Sequence, residues 1–259
     1  MQFTFFKGRV ARCYGCAMNA RFKSRVRLDH LLSQATDLSR KQAKIEIRKK
    51  RVSLQGEVVR DPSLLVDSDA SIEWQGELLG LPAPLYLMMH KPAGLVCARS
   101  DRMQATVMDL LPQDVAERVH IVGRLDKDTT GLLLLTDDGT WSHRVSSPRH
   151  GCSKVYIAEL AEDLVAGAER HFAEGMHLRN EQKPTRPAQL ERLGPRRARV
   201  VLQEGRYHQV RRMFAALGNR VTALHRLSVA GLELDAQLQP GQWRELSDLE
   251  IAAVAAAGN

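Results

Sequence analysis

The stretch GRLDKDTTG at residues 123–131 gathers acids, cations and hydroxyls into one short polar segment directly before the apolar run LLLL at 132–135. A second acidic turn, Asp137-Asp138-Gly139, closes it. Carboxylates in such a setting admit three kinds of chemistry. Asp126, Asp128 and Thr130 can cap turns by accepting backbone N–H groups. They can bind calcium, because Asp126, Asp128, Thr130, Gly131 and Asp137 nearly fit the ligand spacing of an EF-hand loop. Or one carboxylate, held by a neighbouring cation, can serve as a nucleophile or base. Calcium is the weakest reading: four leucines fill the would-be loop, its last ligand is Asp rather than a bidentate Glu, and no amphipathic helix precedes it. GxxxxGK[ST], GxGxxG and HExxH patterns are absent, so nucleotide hydrolysis, dinucleotide redox and zincin chemistry lose their usual warrants. Cys13 and Cys16 form one CxxC without a second pair, and His143, His150 and Cys152 match no standard ligand set; no metal is expected.

The elements that must position this turn belong to a chain of 259 residues, enough for one large domain or two unequal ones. At 44% hydrophobic and 26% charged it is a globular composition, and a net charge of +8 favours a polyanionic partner such as nucleic acid. The apolar runs are far shorter than the roughly 20 residues a membrane span requires, so no membrane partner is expected. Four cysteines cannot staple a fold of this size, which points to reduced thiols and a cytoplasmic location. Residues 1–25 carry cations without an acid and lack the apolar core of a signal peptide; they read as a basic, disordered leader.

A small domain is expected over 26–75. Leu28, Leu31, Leu32 and Ala35 recur at helical spacing, Ser39 stands where an N-cap would open a second helix over 40–50, and an alternating run with a Gln55-Gly56 turn reads as a hairpin. The second helix turns Ala43 and Ile47 to a core and crowds seven cations against one acid, Glu46. Such a face repels itself unless phosphates neutralise it. A linker is expected over 76–85 and a larger domain over 86–259. In the latter, strands are expected at 85–89, 131–136, Lys154–Leu160, Arg197–Leu202 and 222–234. Helices are expected at 206–217 and 247–256, the last opened by a Ser247-x-x-Glu250 capping box. Strands without regular helix alternation favour an α+β fold with a mixed, mainly antiparallel sheet.

Four blocks, HKPAGLVC at 90–97, GRLDKDTTGLLLLTDDG at 123–139, WSHRVSSPRHGCSKVY at 141–156 and EGRYHQVRRMFAALGNRV at 204–221, resemble in order and spacing the RsuA branch of the RNA pseudouridine synthases. The helix-helix-hairpin ahead of them resembles the small RNA-binding domain named after ribosomal protein S-four. The 25-residue leader and its CxxC depart from the family pattern. The resemblance implies isomerisation of a uridine in ribosomal RNA, 16S favoured and uridine 516 the target, without cofactor or metal. It implies that Asp126 is the essential carboxylate, acting as nucleophile or as base at the sugar. Arg211 is implied to ion-pair with it and Tyr156 to stack on the extruded uracil. Arg124, Thr130, His208 and Gln209 would face substrate, and Arg40, Lys44, Arg48, Lys49 and Arg51 would lie on RNA backbone. A monomer acting on free RNA or on a partly assembled small subunit is expected. The alternatives are a large-subunit enzyme of the same family and a noncatalytic RNA-binding assembly factor.

Overall fold

The computed structural model describes residues 25–67, 70–80 and 83–257. The basic leader and its Cys13/Cys16 pair lie outside the described residues, except Arg25, which opens the first strand.

The N-terminal unit runs β1 (Arg25–Arg27), α1 (Leu28–Ala35), α2 (Arg40–Arg48), β2 (Val52–Leu54), β3 (Glu57–Val58), β4 (Leu65–Asp67), β5 (Ile72–Trp74) and β6 (Glu77–Leu78). Ser39 caps α2 as expected, and Gln42 completes a full capping box with it. Leu28, Leu31, Leu32, Ala43, Ile47, Val52 and Ile72 close a small core of their own. The linker expected over 76–85 is in part a strand, because β6 pairs with β5. The reason is a second Gln-Gly turn: Gln55-Gly56 sits at φ 51° and 84°, Gln75-Gly76 at 56° and 86°. Both are left-handed pairs that match the twist of a tight hairpin. The unit rests on the larger domain through His30 Nε2 at 3.0 Å from the Asp137 carbonyl and through the Thr140 hydroxyl, which donates to the Arg25 carbonyl at 2.8 Å.

The larger domain comprises β7 (Tyr86–Lys91), a 3-10 turn (Val107–Leu110), α3 (Gln113–Arg118), β8 (His120–Val122), β9 (Thr129–Thr136), α4 (Gly139–Ser146) and β10 (Lys154–Leu160). It continues through α5 (Ala168–Glu174), β11 (Gln189–Gly194), β12 (Arg197–Leu202), α6 (Gln209–Ala216), β13 (Val221–Val229), β14 (Leu232–Glu233), β15 (Trp243–Glu245) and α7 (Asp248–Ala256). One sheet orders them β11-β12-β10-β13-β9-β7-β15, with β14 on β13 and β8 on β9. It is mixed and mainly antiparallel, as expected; β9 and β13 run parallel. The run expected as one strand over 222–234 breaks at Ala230-Gly231, both at positive φ, and folds back as β14. The helix expected from 206 begins at Gln209, because His208 holds a left-handed conformation at φ 49°.

β9 explains the four leucines. Leu132 and Leu134 point into one core with Tyr86, Met88, Trp141, Ile251 and Val254. Leu133 and Leu135 point into the other with Leu87, Met89, Phe172, Met213 and Phe214. Side chains alternate across a strand, so a sheet covered by helices on both faces needs an unbroken apolar run. All four are fully buried, each contributing roughly 1.5–3 kcal/mol of transfer free energy. That anchors the end of β9 from which the polar turn departs.

Candidate active site

Asp126 lies in the turn between β8 and β9, and that turn is held from beneath. Leu125 is buried, and its N–H meets the Cys97 sulfur at 3.4 Å, a thiol whose pKa burial pushes up. The Asp126 carbonyl accepts the Thr129 N–H at 3.1 Å. Lys91, at the end of β7 and fully buried, donates from Nζ to the carbonyls of Pro92 (2.8 Å), Lys127 (2.9 Å) and Thr129 (3.0 Å). Burial pushes its pKa down. One ammonium thus ties the Asp126 turn to the neighbouring strand by two charge-assisted bonds, to Lys127 and Thr129, while the third, to Pro92, is local to the end of β7. Gly131 closes the motif for a steric reason. It pairs with Arg226 at φ 109°, and a Cβ there would meet the Arg226 carbonyl oxygen at 2.2 Å.

The Asp126 side chain is 28% exposed and faces a cleft. Arg211 Nε on α6 stands 3.6 Å from Oδ2 and His208 Nε2 stands 3.6 Å from Oδ1. At that distance neither contact is a hydrogen bond, so the carboxylate oxygens keep lone pairs for a ligand. Arg211 is itself steadied by the Val221 carbonyl at 3.3 Å. Tyr156, on β10 and nearly buried, lines the same cleft. Residues 30 or more apart in the chain, Asp126, Tyr156 and Arg211, are therefore brought to one cavity.

The other expected substrate residues divide. Arg124 is exposed at the cleft, and His208 reaches it with its ring stacked on Tyr207, centroids 3.8 Å apart. Gln209 lines it too, but its amide is engaged by the loop: Nε2 donates to Glu204 at 2.8 Å and Oε1 accepts the Arg206 N–H at 2.8 Å. Its position is that of a loop brace. Thr130 is a correction. Strand alternation sends Thr129 to the cleft and Thr130 to the opposite face, where its hydroxyl lies 2.8 Å from His225 Nδ1. The calcium alignment also fails on geometry. An eight-residue strand separates the Asp126 turn from Asp137, roughly 25 Å of extended chain. Asp137 instead pairs with Arg118 at 2.6 Å, and Asp138 caps α4.

Lys154, inside the 141–156 block but assigned no role there, and Arg226, outside all four blocks, also line the cleft. A signal existed for both. Lys154 precedes Tyr156 by two on a strand and so shares its face, and Arg226 is an inward position of an alternating strand between Leu224 and Ser228.

On the N-terminal unit, the expected self-repelling cations are partly neutralised from the core side of the helices. Asp29, fully buried on α1, takes Arg27 at 2.8 Å, Arg40 at 3.2 Å and Lys44 at 3.8 Å. Burial opposes its ionisation, but the hydrogen bonds from Arg27 and Arg40 outweigh it and hold the carboxyl below the usual range. Glu46 takes Arg51 at 3.1 Å and Lys49 at 3.9 Å. Arg48 is exposed without a carboxylate partner among the described residues. These pairs leave half of each outer side chain exposed, so the cations are oriented as well as compensated.

The profile of the RNA pseudouridylate synthases matches residues 85–216. The ribosomal small subunit pseudouridine synthase A of Yersinia pestis is 46% identical over 232 residues, 89% of this chain and 99% of that protein. The protein of the same name from Escherichia coli (strain K12) is 45% identical over 230 residues, 88% of this chain and all of that one. A crystal structure of a pseudouridylate synthase is similar at a TM-score of 0.66 and 42% identity, covering 88% of this chain and 99% of the other.

Proposed function

The chain belongs to the RNA pseudouridylate synthase family, and from that premise we propose that it isomerises a uridine of small-subunit ribosomal RNA to pseudouridine, the target being uridine 516. The observation that carries the reading is the placement of Asp126: solvent-reachable, flanked by Arg211 and His208 at 3.6 Å, across a cleft from Tyr156.

The reaction cuts a glycosidic bond, turns the freed uracil and rejoins it through carbon. No atom is gained or lost, so the balance needs no redox partner and the enzyme works without a cofactor. It does need a uridine lifted out of its stack, which costs a few kcal/mol that phosphate contacts offset. Arg40, Lys44, Arg48, Lys49 and Arg51 supply those contacts and read little sequence. Asp126 acts at the sugar, as nucleophile or as base, and the Arg211 guanidinium favours its charged form. Tyr156 offers a ring face for the everted uracil, Arg124 and His208 contact it or its phosphate at the rim, and Gln209 acts by bracing the loop that carries His208.

Asp126→Asn tests this. On a 16S fragment containing the target, product formation is expected to vanish while affinity for the RNA holds. An unmodified protein that binds the fragment but makes no pseudouridine would leave the assembly-factor reading in its place. Chemical mapping of ribosomal RNA from a deletion strain names the position: loss of the mark at a site other than 516 replaces the target.

A further inference from the structure

Two strands of the cleft wall carry cations that the steps above do not use. Tyr156 on β10 sits opposite Arg226 on β13, and Lys154 shares the Tyr156 face two residues earlier. Lys154 is 9% exposed and Arg226 2%. Lys154 Nζ donates to the Cys152 carbonyl at 2.9 Å, and Arg226 Nε donates to the Leu132 carbonyl at 2.8 Å. Arg226 Nη2 is buried with no hydrogen-bond partner. Among the described residues lining the cleft, Asp126 is the one acid, and its contacts are Arg211 and His208. Lys154 and Arg226 are thus buried positive charges with donors to spare and no counter-ion, an arrangement that destabilises a protein by itself. Burial, reinforced by repulsion from Arg226, pushes the Lys154 pKa down.

We propose that Lys154 and Arg226 form an anion hole for the carbonyl oxygens of uracil, stabilising the charge that develops when the base leaves the ribose. This rests on the isomerase reading. When the C1′–N1 bond breaks, its electron pair passes to N1 and spreads over O2 and O4, making the base an anion. After the ring turns, C5 supplies the pair for the new C1′–C5 bond, the C5 proton passes to water, and N1 takes a proton back. The charge is greatest between these two events. Fixed, buried donors stabilise it there without reorganising, which is where such donors contribute most. Gly131 holds the register: only a residue without Cβ lets β9 approach the Arg226 backbone so closely.

Single-turnover rates with enzyme in excess, measured for wild type, Lys154→Met and Lys154→Arg, provide the test. Two RNAs are compared, one with uridine and one with 5-fluorouridine at the target. The fluorine already stabilises the base anion and, standing where the C5 proton would leave, stops the reaction at the carbon-linked adduct, so the rate read on both RNAs is loss of the N1-linked nucleoside. Lys154→Met is expected to slow conversion of uridine about 10²-fold or more with RNA affinity unchanged and thermal stability equal or higher. The deficit is expected to shrink at least about tenfold on 5-fluorouridine, and Lys154→Arg to recover part of the rate. Equal deficits on both RNAs, or an undiminished rate, would overturn the proposal. Weakened affinity with an intact rate would overturn it in favour of a backbone-phosphate site. A wild type that makes no pseudouridine is a different outcome: it sinks the isomerase reading, and this inference with it.

Discussion

Replacing Lys91 by Met removes the tether beneath the Asp126 turn while keeping the volume of the side chain. Its three acceptors do not count equally. The Pro92 and Lys127 carbonyls are partly buried and can turn to water, whereas the bond to the Thr129 carbonyl is enclosed. Leaving that one group unpaired costs about 1–3 kcal/mol, and the two weaker losses add about 1 kcal/mol each. Removing a desolvated ammonium, whose pKa burial already lowers, offsets part of this. A net loss of about 2–3 kcal/mol corresponds, for a chain of this size, to a fall of roughly 4–12 °C in Tm. The functional effect is expected to be larger than the thermodynamic one. A displacement of Asp126 by about 1 Å can slow the chemical step about 10²-fold. Calorimetry, single-turnover kinetics and RNA binding on one preparation separate the effects, and affinity is expected to hold because the N-terminal unit meets the larger domain at Asp137 and Thr140, past the end of β9 opposite the turn. A variant with unchanged Tm and full rate would refute the tether. A lowered Tm with full rate would show that β9 alone positions Asp126.

Gly131→Ala forces a left-handed conformation on alanine and drives a methyl into the Arg226 carbonyl; strain and overpacking together are expected to destabilise by about 2–5 kcal/mol, read as a lowered denaturant midpoint. Removing Lys49 and Arg51 together is expected to weaken RNA binding and flatten its salt slope by about one unit per lost phosphate contact; an unchanged slope would move the RNA surface elsewhere. Glu250, which caps α7, is held at about 2 by the Arg244 hydrogen bonds, against burial, and by Ser247. A depressed carboxyl stabilises above its unfolded value of 4.5 and stops doing so as pH falls toward about 2. Between those limits the wild type is expected to lose more Tm than Glu250→Gln, and parallel profiles would contradict the assignment.

Periodic features were legible before any coordinates. The N-cap at Ser39, the capping box at Ser247, the Gln55-Gly56 hairpin and the strands Lys154–Leu160 and Arg197–Leu202 are where spacing puts them, because each depends on neighbours a few residues away. The helices α4 and α5 were not anticipated, being one or two turns long and stabilised by packing on the sheet rather than by their own periodicity. Thr130 was misplaced, and the loop contacts of Gln209 were missed, for a related reason. Both belong to the right motif, but the face a side chain takes depends on the pleat of β9 in one case and on the Glu204-Arg206 loop in the other.

By itself the sequence determined the polar turn that carries Asp126, the basic helix and the mixed sheet, since local spacing and residue type carry those. Only the tertiary structure decided which charges meet. The parallel contact of β9 with β13, between segments some ninety residues apart, aligns Gly131 with Arg226 and places Lys154 and Tyr156 on the adjoining strand. Core-side Asp29 and Glu46 likewise meet cations that the linear pattern left unpaired. Electrostatic energy falls off with distance in space and is indifferent to distance along the chain, so the chemistry of this cleft exists only once the sheet has closed.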